Sequence, residues 1–174
     1  MTVTYRGAWP ADAPALRALF AESFVETFGH LYRAEDLRDF LDGNSEAKWE
    51  ANLSDPEVAI HVAESGGDLL GFVELAPKKL PYETAAPTIE LRRLYLSSGA
   101  QGQGIADRLM QWALAEAAAR GAQEVVLSVY IDNHRARRFY ERYGFEQVGK
   151  FDFMVGNHAD EDLILRHLIM QAHA

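Results

Sequence analysis

From Leu91 to Asp107 the chain reads Leu-Arg-Arg-Leu-Tyr-Leu-Ser-Ser-Gly-Ala-Gln-Gly-Gln-Gly-Ile-Ala-Asp, an apolar run entering a glycine-rich turn that opens at once into a helical pattern. Glycines let successive backbone N–H groups converge without interference from Cβ atoms. The start of a helix adds unpaired N–H donors and the positive end of the macrodipole. Together they make a seat for a phosphate or pyrophosphate that needs no lysine. The turn and the helix start comprise Gln101, Gly102, Gln103, Gly104, Ile105, Ala106 and Asp107.

Two nucleotide motifs compete for this turn and neither fits. A P-loop would place Lys and Ser or Thr after its second glycine, where Ile105 and Ala106 stand. A dinucleotide fingerprint would end on a third glycine early in the chain, whereas Gly102-Gln103-Gly104-Ile105-Ala106-Asp107 ends on Asp in its middle. An ordinary glycine-rich connection between strand and helix remains the plain alternative.

A second group of residues follows at Asp132-Asn133-x-x-Ala136-x-x-Phe139-Tyr140-x-x-x-Gly144-Phe145. Ala136, Phe139, Tyr140 and Tyr143 recur at i, i+3, i+4 and i+7, the spacing of a core-facing helical stripe. No paired metal-ligand spacing occurs among His30, His61, His134, His158, His167 and His173, so no metal site is expected. The chain has no cysteine, which excludes a disulfide scaffold, a thiolate metal site and a Cys nucleophile.

The elements that must position these residues follow from periodicity and breakers. Val3 to Arg6 reads as a strand, and apolar residues from Ala13 to Phe28 recur at helical spacing. Helical pieces follow at Ala34 to Leu41 and Ser45 to Leu53. Beyond Pro56, Val58 to Glu64 and Leu69 to Ala76 alternate around a Gly66-Gly67-Asp68 turn, and Pro77 to Pro87 reads as a loop. Thr88 to Leu96 is a strand, Ile105 to Arg120 a helix stopped by Gly121, and Glu124 to Tyr130 a Val-rich strand. Asn133 to Tyr143 is a helix stopped by Gly144. Glu146 to Val155 and Glu161 to Leu168 are strands joined by a polar loop.

This order predicts one mixed α/β domain over residues 1–174, a sheet of about seven strands with helices on both faces. The strand after each of the two later helices should run parallel to its predecessor. Lys and Arg total 17 against 26 Asp and Glu, a net charge of −9, which argues against nucleic acid as a partner. Met1 to Ala8 lacks an apolar core of signal-peptide length, and no window approaches the ~20 apolar residues of a membrane span. A soluble, cytoplasmic protein without a membrane partner is expected.

Gln101-x-x-Gly104-x-Ala106 resembles the Q/R-x-x-G-x-G/A signature of the GNAT N-acetyltransferases. The block from Asp132 to Phe145 resembles the second half of the same pattern, with one helix and one strand between them, as that fold requires. The resemblance implies the GNAT fold and acetyl-CoA as co-substrate. The central strand would lend backbone groups of Leu94, Tyr95 and Leu96 to the pantetheine arm. Asn133 and Ala136 would contact that arm, and Tyr140 would stand where the family protonates the departing thiolate. A phenol with a pKa of about 10 stays protonated at neutral pH and suits that role. For the base that deprotonates the amine, Glu90 is the candidate, provided it shares a face with Leu94; Arg92 and Arg93 make a salt-bridged sheet residue the alternative. Glu74 is held in reserve.

The acceptor side is read from Ser23-Phe24-x-x-Thr27-Phe28-x-x-x-Tyr32 with Asp36-Leu37 and Phe40-Leu41, which look like the PaiA-type bacterial polyamine acetyltransferases. Phe24, Phe28, Tyr32 and Glu74 become acceptor-site candidates, with Glu22, Glu26, Glu35, Asp36 and Glu90 as carboxylates a polyamine would want. The aromatics equally suit core packing. Amino acids, peptides or protein N-termini remain as acceptors, and a non-catalytic acyl-CoA-binding module remains as the rival class. The resemblance also carries a homodimer through the last strands, with Phe151, Phe153 and Met154 as its apolar contact.

Overall fold

A computed structural model describes residues 2–170 of the chain. Strand β1 (Thr4–Gly7) is followed by the helices α1 (Ala13–Phe28), α2 (Ala34–Gly43) and α3 (Glu46–Ser54). Strands β2 (Ala59–Ser65), β3 (Asp68–Pro77) and β4 (Thr88–Leu96) lead to α4 (Ile105–Ala119). Then come β5 (Glu124–Tyr130), α5 (His134–Arg142), β6 (Glu146–Val155) and β7 (His158–Leu168). The seven strands form one sheet in the order β1-β2-β3-β4-β5-β7-β6. Among these pairs β4 with β5 is parallel and the others are antiparallel.

The helices divide between the two faces because each carries one apolar stripe. Leu16, Leu19, Phe20 and Phe24 of α1 pack with Trp49 of α3 on Ile60, Val62 and Phe72. On the opposite face Ile105, Leu109, Met110, Ala113 and Ala117 of α4 pack on Val73, Leu75, Leu91, Val125 and Leu127, beside Tyr140 and Phe145. Each stripe repeats at three or four residues, as a helix seated on a sheet requires. Gly121 and Gly144 stop the helices at φ +86 and +80, a left-handed region in which glycine carries no Cβ penalty.

One junction differs from the sequence expectation, and one holds with an inserted strand. The chain between β6 and β7 is a tight turn at Gly156-Asn157 rather than a polar loop, so β7 begins at His158 and gains Asp160 as a strand residue. The crossover through α5 makes β6 parallel in sense to β5, but β7 lies between them and pairs with both. The ring of Phe153 turns inward onto Phe40 at 5.8 Å, Phe151 is half-buried, and Met154 stays exposed. Of the three residues expected at a dimer contact, Phe153 is therefore committed to the protomer's own packing.

Candidate active site

The parallel pairing of β4 with β5 stops early. Thr88, Ile89 and Glu90 pair with Glu124, Val125 and Val126, and beyond that point the two strands part. The edge of β4 from Leu91 to Leu96 is left without a partner on the β5 side, and its backbone groups face a gap. On the other side, Glu74 pairs with Arg93 and Leu75 with Leu91, so Arg92 is an extra residue, a β-bulge. The bulge resets the alternation. Glu90, Arg93 and Tyr95 face α1, while Leu91, Leu94 and Leu96 face α4.

A cavity of about 810 Å³ runs through this gap from one face of the sheet to the other. Toward α4 and α5 it is lined by Gln101, Gly102, Gly104, Ile105, Ala106 and Asp107, together with Asn133, Ala136 and Tyr140. Gly102 and Gly104 hold φ +78 and +77, and no atom stands within 4 Å of where a Cβ would be at either. The first intrahelical bond of α4 runs from Arg108 N to Gly104 O, so the N–H groups of Ile105, Ala106 and Asp107 precede the ladder. An open cradle of glycine backbone leading into free N–H donors fits a pyrophosphate. Gln103 does not line the cavity; its side-chain amide donates to the Gly99 carbonyl across 2.8 Å and braces the turn.

Leu94, Tyr95 and Leu96 line the middle of the cavity. Tyr140 is 8% exposed and its hydroxyl donates to no described residue. Burial, followed by the neighbouring Tyr95, pushes its phenol well above the ordinary tyrosine value. The phenol therefore stays protonated at any working pH. The Asn133 carboxamide accepts from Ala136 N at 3.3 Å and caps α5, which fixes the helix that carries Tyr140.

On the α1 face the walls are Phe24, Thr27 and Phe28 of α1, Tyr32, Ser128 and Tyr130 of β5, Phe153, and the carboxylates Asp160 and Asp162. Phe24 and Tyr32 stack with their rings 7° apart and 5.8 Å between centroids. Tyr32 donates a short hydrogen bond to Asp160, and His158 Nε2 lies 3.1 Å from the same carboxylate. Burial, followed by the charge of Asp160, pushes Asp162 up to about 7, while a hydrogen bond from Ser128 works the other way.

Glu90 and Glu74 stand elsewhere. Glu90 Oε1 accepts from the backbone N–H groups of Lys79 and Leu80, both at 3.0 Å, and Oε2 pairs with Arg92 at 3.4 Å. The bulge separates it from the face of Leu94, and it holds the loop after β3 instead of lining the cavity. Glu74 is 0% exposed and pairs with Arg93 at 3.1 Å and Arg92 at 3.7 Å. Arg93 in turn bonds Asn44 and lies over the Phe20 and Trp49 rings. Glu22, Glu26 and Glu35 are exposed outside the cavity, and Asp36 accepts from Asn157 N at 3.0 Å.

The residues that sequence reading passed over are Asp160, Asp162 and Ser128, along with Arg135, Arg138 and Arg142 at the mouth. Arg135 donates to the Gln101 carboxamide across 2.6 Å. The Asp-x-Asp spacing on a strand, which turns both side chains to one face, was the signal for the acidic pair. Among the described residues no group of three or more His, Asp or Glu could hold a metal ion, and no helix is long and apolar enough to cross a membrane; His173 lies outside them.

The sequence pattern of the Acetyltransferase (GNAT) family matches residues 14–145. The chain belongs to the GNAT acetyltransferases. It is thereby an acetyl-CoA-dependent N-acetyltransferase that acts on an amine. An uncharacterized GNAT relative, an N-acetyltransferase of Mycobacterium tuberculosis, is 35% identical over 155 residues, which cover 88% of this chain and 96% of that protein. The aminoalkylphosphonate N-acetyltransferase of Salmonella typhimurium is 33% identical over 112 residues, covering 64% of this chain and 69% of that one. Among solved GNAT structures, the PaiA N-acetyltransferase of Thermoplasma acidophilum in complex with coenzyme A superimposes with a TM-score of 0.77 at 23% identity, over 97% of this chain and 99% of that one.

Proposed function

We propose that the protein transfers the acetyl group of acetyl-CoA to a primary amine of a small cationic acceptor of the polyamine type. The observation that carries this reading is the buried pair Asp160 and Asp162 under the aromatic wall of Phe24, Phe28 and Tyr32. Carboxylates in an apolar setting favour a cation, and aromatic faces add to that attraction. An acceptor bearing a carboxylate or phosphonate would bring a second anion to the same place, at a like-charge cost. Amino acids and aminoalkylphosphonates are therefore disfavoured.

The donor half of the reading rests on the α4 side of the cavity. The N–H groups from Gln101 to Asp107 would hold the pyrophosphate, and the open edge of β4 at Leu94, Tyr95 and Leu96 would hold the pantetheine arm. When bound, the co-substrate supplies a thioester whose carbonyl carbon accepts the amine. Backbone N–H groups near Tyr95 and Leu96 would steady the carbonyl oxygen as it gains charge. Tyr140, kept protonated by burial, would give its proton to the departing sulfur.

Release of free thiol, followed with a disulfide reagent over a panel of amines, tests the proposal. The absence of cysteine from the protein leaves that assay free of background. Di- and polyamines should accelerate release more than amino acids, dipeptides or aminoalkylphosphonates. If calorimetry shows acetyl-CoA binding while no amine accelerates release, the chain is an acyl-CoA-binding module.

A further inference from the structure

Resting on that reading, we infer that Asp162 is the proton acceptor for the incoming amine, with Asp160 its positioning partner. Asp162 is 6% exposed, yet it lines the cavity, and no Lys, Arg or His pairs with it among the described residues. A carboxylate that deep in an apolar wall is normally neutralised by a cation. Here the cations carried by β4, by β6 and by the start of β7 are committed elsewhere. Arg93 and Arg92 are held by Glu74 and Glu90, Lys150 pairs with Glu161, and His158 faces Asp160. What remains to meet Asp162 is the contents of the cavity.

The location suits the task. Asp162 pairs across the sheet with Tyr130 of β5 and Phe151 of β6, and its side chain emerges on the α1 face opposite the side where Tyr140 stands. Phe28 and Tyr130, whose rings pack edge to face at 6.2 Å, line the cavity together with Asp162, which Tyr130 faces across the β5–β7 pairing. The groups that face Asp162 are Asp160 from β7, Tyr32 from the turn after α1, Tyr95 from β4, and Ser128 and Tyr130 from β5. Tyr32 and His158 occupy Asp160, which leaves Asp162 as the member of the pair free to take a proton. Its raised proton affinity matches a base working near neutrality.

The protons balance. The ammonium gives one proton to Asp162, which passes it to solvent. The amine lone pair forms the C–N bond, and the C–S bond breaks with its electron pair on sulfur. The second proton lost from nitrogen returns through solvent to Tyr140, which has given its own to that sulfur, so an amide, a free thiol and one solvent proton result. Glu90, with Oε1 held by the loop after β3 and Oε2 by Arg92, takes no part.

The test is the pH profile of kcat for wild type, Asp162→Asn and Asp160→Asn with the best amine of the panel. The wild type should lose activity as pH falls through about 7, and the limb should stay in place when an amine of different basicity is used. Asp162→Asn should lower kcat by about 100-fold or more and remove that limb, while acetyl-CoA affinity by calorimetry stays unchanged. Asp160→Asn should raise KM for the cationic amine, which loses one carboxylate of its site, and should move the limb to lower pH, because the like charge that raises Asp162 is gone. An Asp162→Asn enzyme with wild-type kcat and an intact limb overturns the assignment while leaving the acetyltransferase reading standing. A wild type that releases no thiol with any amine removes both.

Discussion

The Ser23 hydroxyl on α1 donates to the Leu96 carbonyl at the end of β4 across 2.9 Å. This bond ties the helix that walls one side of the cavity to the strand whose free edge lines its middle. Both ends are in the cavity wall, so the relative position of the two half-sites rests partly on it. Ser23→Ala leaves a buried carbonyl without its partner, which should cost about 1–3 kcal/mol. For a chain of this size, thermal unfolding should shift down by roughly 2–12 °C, and KM for the amine should rise. An unchanged melting temperature would mean that water replaces the hydroxyl and that α1 is held by packing alone.

At Gly104 the backbone sits at φ +77 with open space beside it. Gly104→Glu would strain that conformation by about 1–2 kcal/mol, a cost the fold can bear. Its carboxylate would occupy the phosphate seat and repel what binds there. Calorimetry should show acetyl-CoA binding lost in a variant whose circular dichroism is unchanged. Affinity retained in that variant would move the phosphate seat elsewhere.

The strand, turn and helix start that frame one side of the cavity were legible in the sequence because they are local. A strand, a glycine turn and a helix start are contiguous from Leu91 to Asp107, and the structure forms them within a residue or two of the expected bounds. The acceptor half was not, for two reasons. One extra residue at Arg92 turns Glu90 away from the face of Leu94, and a bulge leaves no mark in the hydrophobic pattern. The pair Asp160 and Asp162 reaches the cavity because β7 inserts between β5 and β6, a pairing between segments about 30 residues apart that no local spacing announces. Reading 156–160 as a loop hid Asp160 as well.

Tyr140 separates chemistry from binding. Tyr140→Phe keeps the ring that packs on Phe145 and Phe139 and removes one proton donor. Turnover should fall by about 10²-fold or more with acetyl-CoA affinity nearly unchanged, as the proposed role of Tyr140 in protonating the leaving sulfur requires. A variant with wild-type kcat would return Tyr140 to a packing role.

Glu90 should behave in the opposite way. Its carboxylate holds two backbone N–H groups, those of Lys79 and Leu80, at the start of the loop after β3. Glu90→Ala strands both donors and should cost about 2–4 kcal/mol of stability, while kcat per folded molecule stays within about two-fold of wild type. Chemical denaturation and activity measured on the same preparation distinguish this from a catalytic role, which would lower kcat at full stability.

Asp162 links stability to pH with an inverted sign for a carboxylate. Its folded-state pKa, about 7, lies above the ordinary value of 3.8, so between those two values the folded chain binds more protons than the unfolded one. Stability contributed by the protonated form is complete below pH 4 and is lost as pH rises toward 7. Above that, the buried charge should cost on the order of 2–4 kcal/mol. Asp162→Asn removes the charge while keeping the shape. The variant should therefore melt several degrees above wild type at pH 8, and the gap should close as pH approaches 4. Equal melting at pH 8 would mean that the carboxylate is well solvated and unfit for the base role. A variant more stable and less active than its parent would show that the strain at Asp162 serves turnover rather than the fold.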